Sequence, residues 1–222
     1  DFTDVNNDAT RVEVNTISAE MAKVRDYVPD YAVMAHRGST FWAPEETESA
    51  WRWAREMGAD YLESDLQCTK DGVILANHDD NLKRTTNIEN VYSELVPATR
   101  KAFYMRHGVS EEEAEKLVAA DKASFRPYYA MSYMYEELLA LDAGSWFNET
   151  SIEQARKSFA EKHQYVSALE DQIRYAEGKM LKRGSDGERI YTVTGTWDPD
   201  KPRDCLTYKF EYVDDPQDTG NR

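Results

Sequence analysis

Paired cysteines, long apolar runs and a surplus of basic residues are all missing from this 222-residue chain, and each gap removes a class of protein. Its two cysteines, Cys68 and Cys205, lie far apart, without the close spacing of a zinc site or a redox dithiol. They are compatible with two free thiols or with one long-range disulfide. No apolar stretch approaches the ~20 residues that span a bilayer, and no signal-like segment is present. Lys and Arg number 27 against 42 Asp and Glu, a net charge of -15, which repels nucleic acid and anionic membranes alike. What the chain does have is core-forming material: 41% hydrophobic residues, with 14 Tyr and 5 Trp, more than a disordered chain carries. There is no internal repeat and no low-complexity block. The chain starts at Asp1 rather than Met, which reads as a processed start and favours a periplasmic or secreted protein.

The first thirty residues are polar, with a helix expected over Ile17 to Val28, and form an N-terminal helical extension. Tyr31 to Ala35 then reads as a short buried strand. Thr47 to Met57 has the spacing of an amphipathic helix, with Ala50, Trp51, Ala54 and Met57 on one face, and Gly58 follows as a stop signal. A second strand in "ADYLESDLQCT" completes a βαβ unit, whose strands run parallel. Side-chain alternation there places Glu63, Asp65 and Gln67 on one face. Lys70-Asp71-Gly72 reads as a turn, Val73 to Ala76 as a strand, and His78 as the start of a polar loop. From Asn90 to Tyr133 the pattern changes to a surface insertion holding a helix capped by Ser110, with Glu113 at the capping-box position. "YEELLALDAG" reads as a short helix and a possible third barrel strand, "SALEDQIRYAEG" as a helix ending at Gly178, and residues 179–213 as a hairpin extension.

Consecutive parallel strands would deliver His36, Arg37, Glu63, Asp65 and His78 to one end of a sheet, where ligand crevices form in such folds. The carboxylates are hard oxygen donors suited to a divalent cation, Ca2+ or Mg2+, in an open site. Arg37 offers a planar fork of donors for a phosphate, and paired histidines can work as acid and base near neutral pH. Together these parts describe hydrolysis of a phosphodiester. Zinc is a weaker reading of the same residues, because "HEXXH" does not occur.

In order along residues 35–86 stand His-Arg-Gly, Pro-Glu-x-Thr, Gly-Ala-Asp, Glu-x-Asp, Thr-Lys-Asp-Gly, and His-Asp before Arg-Thr-Thr. This linked set resembles the glycerophosphodiester phosphodiesterases. The resemblance implies an α/β fold, the TIM-type (β/α)8 barrel, and metal-dependent cleavage of a small glycerophosphodiester into glycerol 3-phosphate and an alcohol. It implies that His36 and His78 are the acid–base pair, Arg37 the phosphate clamp, Glu63 and Asp65 the metal ligands, and that Glu45 lines the site. Which histidine is the acid is left open, and so is the oligomeric state. Related barrels acting on lysophospholipids or sphingophospholipids supply an alternative, and a catalytically inactive metal- or phosphate-binding barrel fragment another.

The family's Pro-Glu-Asn-Thr is Pro-Glu-Glu-Thr here, with Glu46 in place of the amide. The insertion at about 90–133 is longer than usual, a candidate lid or substrate-selecting cap. Only about three barrel strands precede Arg222, against ~250 residues for a full barrel, and no further Glu-x-Lys strand supplies a third metal-binding carboxylate. The expectation is therefore that residues 31–222 are the N-terminal portion of a longer barrel enzyme, inactive by themselves.

Overall fold

The computed structural model describes residues 31–148 and 163–220; the helix expected over Ile17 to Val28, with the rest of the N-terminal extension, lies outside them. The chain divides into two units, Asp1–Ala32 and Val33–Arg222, and the second carries everything that follows. Strand β1 (Met34–Ala35) leads through a tight turn to helix α1 (Glu48–Glu56) and back to β2 (Tyr61–Leu62). β1 and β2 pair in parallel, with Met34 opposite Tyr61 and Ala35 opposite Leu62, as the βαβ reading predicts. Helix α1 begins where Thr47 accepts a hydrogen bond from the Ala50 N–H and ends before Gly58, at φ +82°. Its Ala50, Trp51 and Ala54 are buried, whereas Met57 is exposed at the C-cap and contributes nothing to the buried stripe.

The strand expectations need correction beyond this unit. Met34 and Val33 are 62% and 58% exposed, not buried, because β2 is the one strand that pairs with β1 among the described residues. The predicted continuous strand through Glu63 and Asp65 breaks into β2 and β3 (Leu66–Cys68), with residues 63–65 in irregular backbone. β3 pairs with β4 (Ile74–Ala76) antiparallel, not parallel, since the Lys70-Asp71-Gly72 turn joining them is too short for a crossover. The segment 139–144, read as a third barrel strand, contains none. Across the described residues the strands form four two-stranded sheets and no closed barrel.

Asp71 explains why that turn is so well specified. Its carboxylate is buried and accepts hydrogen bonds from Thr69 Oγ1 (2.6 Å), the Tyr135 N–H (2.9 Å) and the Tyr208 hydroxyl. One side chain thus ties the β3–β4 hairpin to later elements. The intervening insertion contains α2 (Ile88–Val91), α3 (Arg100–Arg106) and α4 (Glu111–Ser124). Ser110 caps α4 by accepting from the Glu113 N–H (3.3 Å). A 3-10 turn (Ala130–Ser132) leads to α5 (Tyr135–Leu138), followed by α6 (Ser145–Asn148) and α7 (Leu169–Ala176). The hairpin expected late in the chain is present as β6 (Tyr191–Gly195) against β7 (Leu206–Phe210), flanked by β5 (Lys179–Leu181) against β8 (Tyr212–Asp214). Cys68 and Cys205 are free thiols. No helix among the described residues is long and apolar enough to cross a membrane.

The insertion is fixed to the rest by a buried arginine. Arg100, 1% exposed, donates through Nε and Nη2 to both oxygens of Glu137 (2.8 Å each), through Nη1 to Asp121 (2.6 Å) and through Nη2 to the Ser132 carbonyl. Phe103 and Tyr104 of the same helix pack with Ala114, Met134, Trp197 and Leu206, so the insertion and the segment from Trp197 to Leu206 share one apolar cluster. Burial pushes the Asp121 carboxyl up, but hydrogen bonds from Tyr104 and Lys70 and the charge of Arg100 overcome it and hold the group below its ordinary value. A lowered carboxyl stabilises the fold above the unfolded-state pKa, and that contribution disappears as the pH falls through the folded-state value. Replacing Arg100→Met should cost about 3–5 kcal/mol in urea unfolding at pH 7, because two carboxylates lose a buried partner. Asp121→Asn should also destabilise at pH 7 and flatten the loss of stability below about pH 4; an unchanged acid limb would contradict the assignment.

Candidate active site

The turn after β1 adopts a conformation that few residues tolerate. Arg37 and Gly38 both have positive φ, +56° and +87°, the left-handed region that costs a residue with a Cβ roughly 1–2 kcal/mol. A Cβ on Gly38 would lie 2.6 Å from Ala50 Cβ and 2.8 Å from the Ala50 carbonyl carbon. Glycine is therefore required for contact with α1 as well as for the turn. The Ser39 N–H donates to Ala50 O (2.9 Å) and the Glu46 N–H to Arg37 O (3.0 Å), closing the turn onto the helix.

Arg37 is the centre of the site. Its backbone N–H donates to Glu63 Oε2 (2.9 Å), its Nη1 donates to Glu45 Oε1 (3.2 Å), and its Nε lies 3.0 Å from Asp65 Oδ2. A second guanidinium adds to the cluster: Arg84 donates through Nη2 and Nη1 to the two oxygens of Glu45 (2.7 and 3.1 Å) and through Nε to Asp79 Oδ2 (2.7 Å). Burial pushes Glu45 up, yet the hydrogen bonds and charges of Arg84 and Arg37 hold it below the usual carboxylate range. Asp79 is also held low, first by Arg84 and further by His78, whose Nδ1 lies 2.5 Å from Asp79 Oδ1.

The expected site residues are thus drawn together by routes other than those predicted. Glu63 and Asp65 do reach the same guanidinium-bearing residue, although from irregular backbone rather than from one strand face. Gln67 Nε2 donates to the His78 carbonyl (3.2 Å) and the Asn77 N–H to Asp65 O (2.9 Å), so the antiparallel hairpin itself carries the second histidine toward the carboxylates. His36 is exposed at the head of the turn beside Arg37. Arg84 and Asp79 had no role in the sequence reading, though the Arg-Thr-Thr and His-Asp motifs contained both.

Among the described residues no three His, Cys, Asp or Glu side chains gather as a metal cluster. Two observations nevertheless fit a hard cation. Glu63 and Asp65 are oxygen donors of the right class, and Asp65 Oδ2 is a buried atom without a hydrogen-bond partner, its contact with Arg37 lacking hydrogen-bond geometry.

Comparison with known proteins identifies the family to which the chain belongs. The profile of the glycerophosphoryl diester phosphodiesterase family matches residues 36–198. The chain belongs to this family. Glycerophosphoinositol inositolphosphodiesterase GDPD2 of Mus musculus is 28% identical over 165 residues, 72% of this chain and 25% of that protein. The glycerophosphodiester phosphodiesterase of Bacillus subtilis (strain 168) is 30% identical over 126 residues, 57% of this chain and 30% of that protein. The chain therefore spans between a quarter and a third of these curated relatives. An Oleispira antarctica phosphodiesterase, solved with the product sn-glycerol-3-phosphate, aligns over 69% of this chain and 42% of its own with 22% identity and a TM-score of 0.43.

Position 46 is where this family member departs from the Pro-Glu-Asn-Thr pattern, and its backbone gives the physical reason for an asparagine there. Glu46 has φ +57°, a region in which Asn is favoured over Glu. It is buried, accepting from Ser64 Oγ and the Asp65 N–H (2.8 Å each). Burial outweighs those bonds and pushes its carboxyl up to about 7. Glu46→Asn should raise stability at pH 7.5 by about 1 kcal/mol, by relieving strain and removing a buried carboxyl. A lower melting temperature would show instead that the contacts to Ser64 and Asp65 dominate.

Proposed function

We propose that this chain contributes the catalytic face of a phosphodiesterase that hydrolyses glycerophosphodiesters to glycerol 3-phosphate and an alcohol. The observation that carries the reading is the placement of Arg37: a guanidinium on a left-handed turn, beside His36 and joined through Glu45, Arg84 and Asp79 to His78. A phosphodiester is a single negative charge with two free oxygens, which a planar fork of N–H donors can hold in one orientation. Family membership and the relatives named for this activity support the substrate class.

In the reaction a water oxygen forms a bond to phosphorus as the bond from phosphorus to the alcohol oxygen breaks. One imidazole takes the proton from the water and the other supplies a proton to the departing alkoxide. His78 is oriented by Asp79, a carboxylate held ionised by Arg84, so its Nε2 is left facing away from that partner for proton transfer. Arg37 and Arg84 neutralise charge that gathers on the phosphoryl oxygens in the transition state. Glu63 and Asp65 would hold a divalent cation, Ca2+ or Mg2+, which supplies further charge neutralisation at phosphorus when bound.

The test is release of glycerol 3-phosphate from glycerophosphocholine by the enzyme that carries this chain, with His36→Ala and His78→Ala each expected to lower kcat about 10²–10⁴-fold. Arg37→Gln should raise KM as well as lower kcat, and a chelator should abolish turnover reversibly. Full activity in both histidine variants would end the assignment. Phosphate binding without turnover by the parent would favour a binding fragment.

A further inference from the structure

A second basic site lies away from the Arg37 cluster. A cleft of about 260 Å3 is formed where three distant segments meet: Lys70 in the β3–β4 turn, residues 124–132 of the insertion, and Pro202 and Arg203 in the connection between β6 and β7. Gly72 makes the meeting possible, because a Cβ there would stand 2.2 Å from the Arg203 carbonyl oxygen. The cleft is lined by four cationic side chains, those of Lys70, Arg100, Arg126 and Arg203, and by one carboxylate, Asp121.

The charges are not evenly committed. Arg100 is neutralised by Glu137 and shares Asp121 with Lys70, whose Nζ lies 2.9 Å from Oδ1. Among the described residues neither Arg126 nor Arg203 has a carboxylate partner, although the chain as a whole carries a net charge of -15 and pairs most of its other arginines. Arg126 is held in place by lying over the Tyr129 ring, 3.9 Å from its centroid. Two guanidinium-bearing residues without carboxylate partners lining one small concavity supply the fork-shaped N–H donors that recognise a tetrahedral anion. The volume is near the lower limit of small-molecule sites, which suits a phosphate group and little more.

We infer that the cleft between the insertion and the β6–β7 connection binds a phosphate-bearing anion through Arg126 and Arg203, with Lys70 lining the same cleft. The site is separate from the proposed catalytic face and does not depend on its activity. Its ligand is either a soluble phosphate compound or the phosphate of a lipid headgroup, and the cleft recognises what the two share.

Titration of the 15N-labelled chain with inorganic phosphate, followed by amide shifts, tests it. Saturable shifts are expected at Ser124, Arg126, Met131 and Arg203. They should persist in Arg37→Gln, which removes the other phosphate clamp, and should weaken at least tenfold in R126Q/R203Q and on raising the salt. Both arginines are exposed, so amides outside the cleft should keep their positions in the double variant. Unmoved cleft amides in the parent chain, or shifts that vanish with Arg37→Gln alone, overturn the inference even if the double variant does not fold. Sedimentation with vesicles containing phosphatidic acid is the second arm: binding lost in R126Q/R203Q assigns a lipid headgroup, and its failure alongside phosphate binding assigns a soluble ligand.

Discussion

The site depends on one strained residue, Arg37. With φ at +56° its backbone N–H turns toward Glu63 while its guanidinium reaches Glu45 and Asp65. The strain is sustained by what surrounds it. Gly38 lets the turn lie against Ala50, the Glu46 N–H caps the Arg37 carbonyl, and Glu46 in turn fixes Ser64 and Asp65. Each partner is on a different segment, so the cluster holds together only when β1, α1 and the loop after β2 are all in place.

Arg84 extends the same logic to the second histidine. A guanidinium shared between Glu45 and Asp79 is a rigid bridge between the turn after β1 and the loop after β4, two segments whose strands belong to different sheets. Its planar fork allows it to bind two carboxylates at once, which a lysine ammonium could do only loosely. Asp79 then orients His78. The chain of contacts from Arg37 to His78 therefore runs through charge, not through a continuous sheet.

Local chemistry was legible in the sequence where it was carried by motifs of a few residues. The cap at Ser110, the stop at Gly58 and the helices over α1, α4 and α7 follow from residue types and spacing. Arg37, Glu63 and Asp65 were grouped from their placement and Glu45 only through the family resemblance; contacts with Arg37 join all four. Long-range pairing was not legible. Alternation in "YLESDLQC" cannot reveal that the strand breaks at residues 63–65, because the break is caused by Glu46 and Arg37 binding that segment from another part of the chain. The antiparallel course of β4 was missed for a related reason: the five-residue link, 69–73, argued for a hairpin, but expectation of a barrel argued for parallel strands. Arg100 was invisible, since a single arginine in a polar helix gives no sign of being the buried anchor of an insertion.

Charge balance bears on how this cluster could meet an anionic substrate. Glu45, Glu63, Asp65 and Asp79 set four formal negative charges against the two of Arg37 and Arg84, a surplus of two, while Glu46, with its carboxyl pushed up to about 7, is only partly charged at neutral pH. A phosphodiester approaching such a cluster would be repelled, at a cost of roughly 4 kcal/mol per unit pair at 4 Å in a surface dielectric of about 20. One divalent cation would bring the formal balance to zero and leave the two guanidiniums free to act on the substrate rather than to offset carboxylates. The raised Glu46 carboxyl works in the same direction, because a fifth full charge would leave the balance negative even with such an ion in place. A cation is thus the simplest partner for the surplus of acids over arginines in the proposed reaction, and Asp65 Oδ2, which has the ion contact with Arg37 Nε but no hydrogen-bond partner, has an oxygen to offer it.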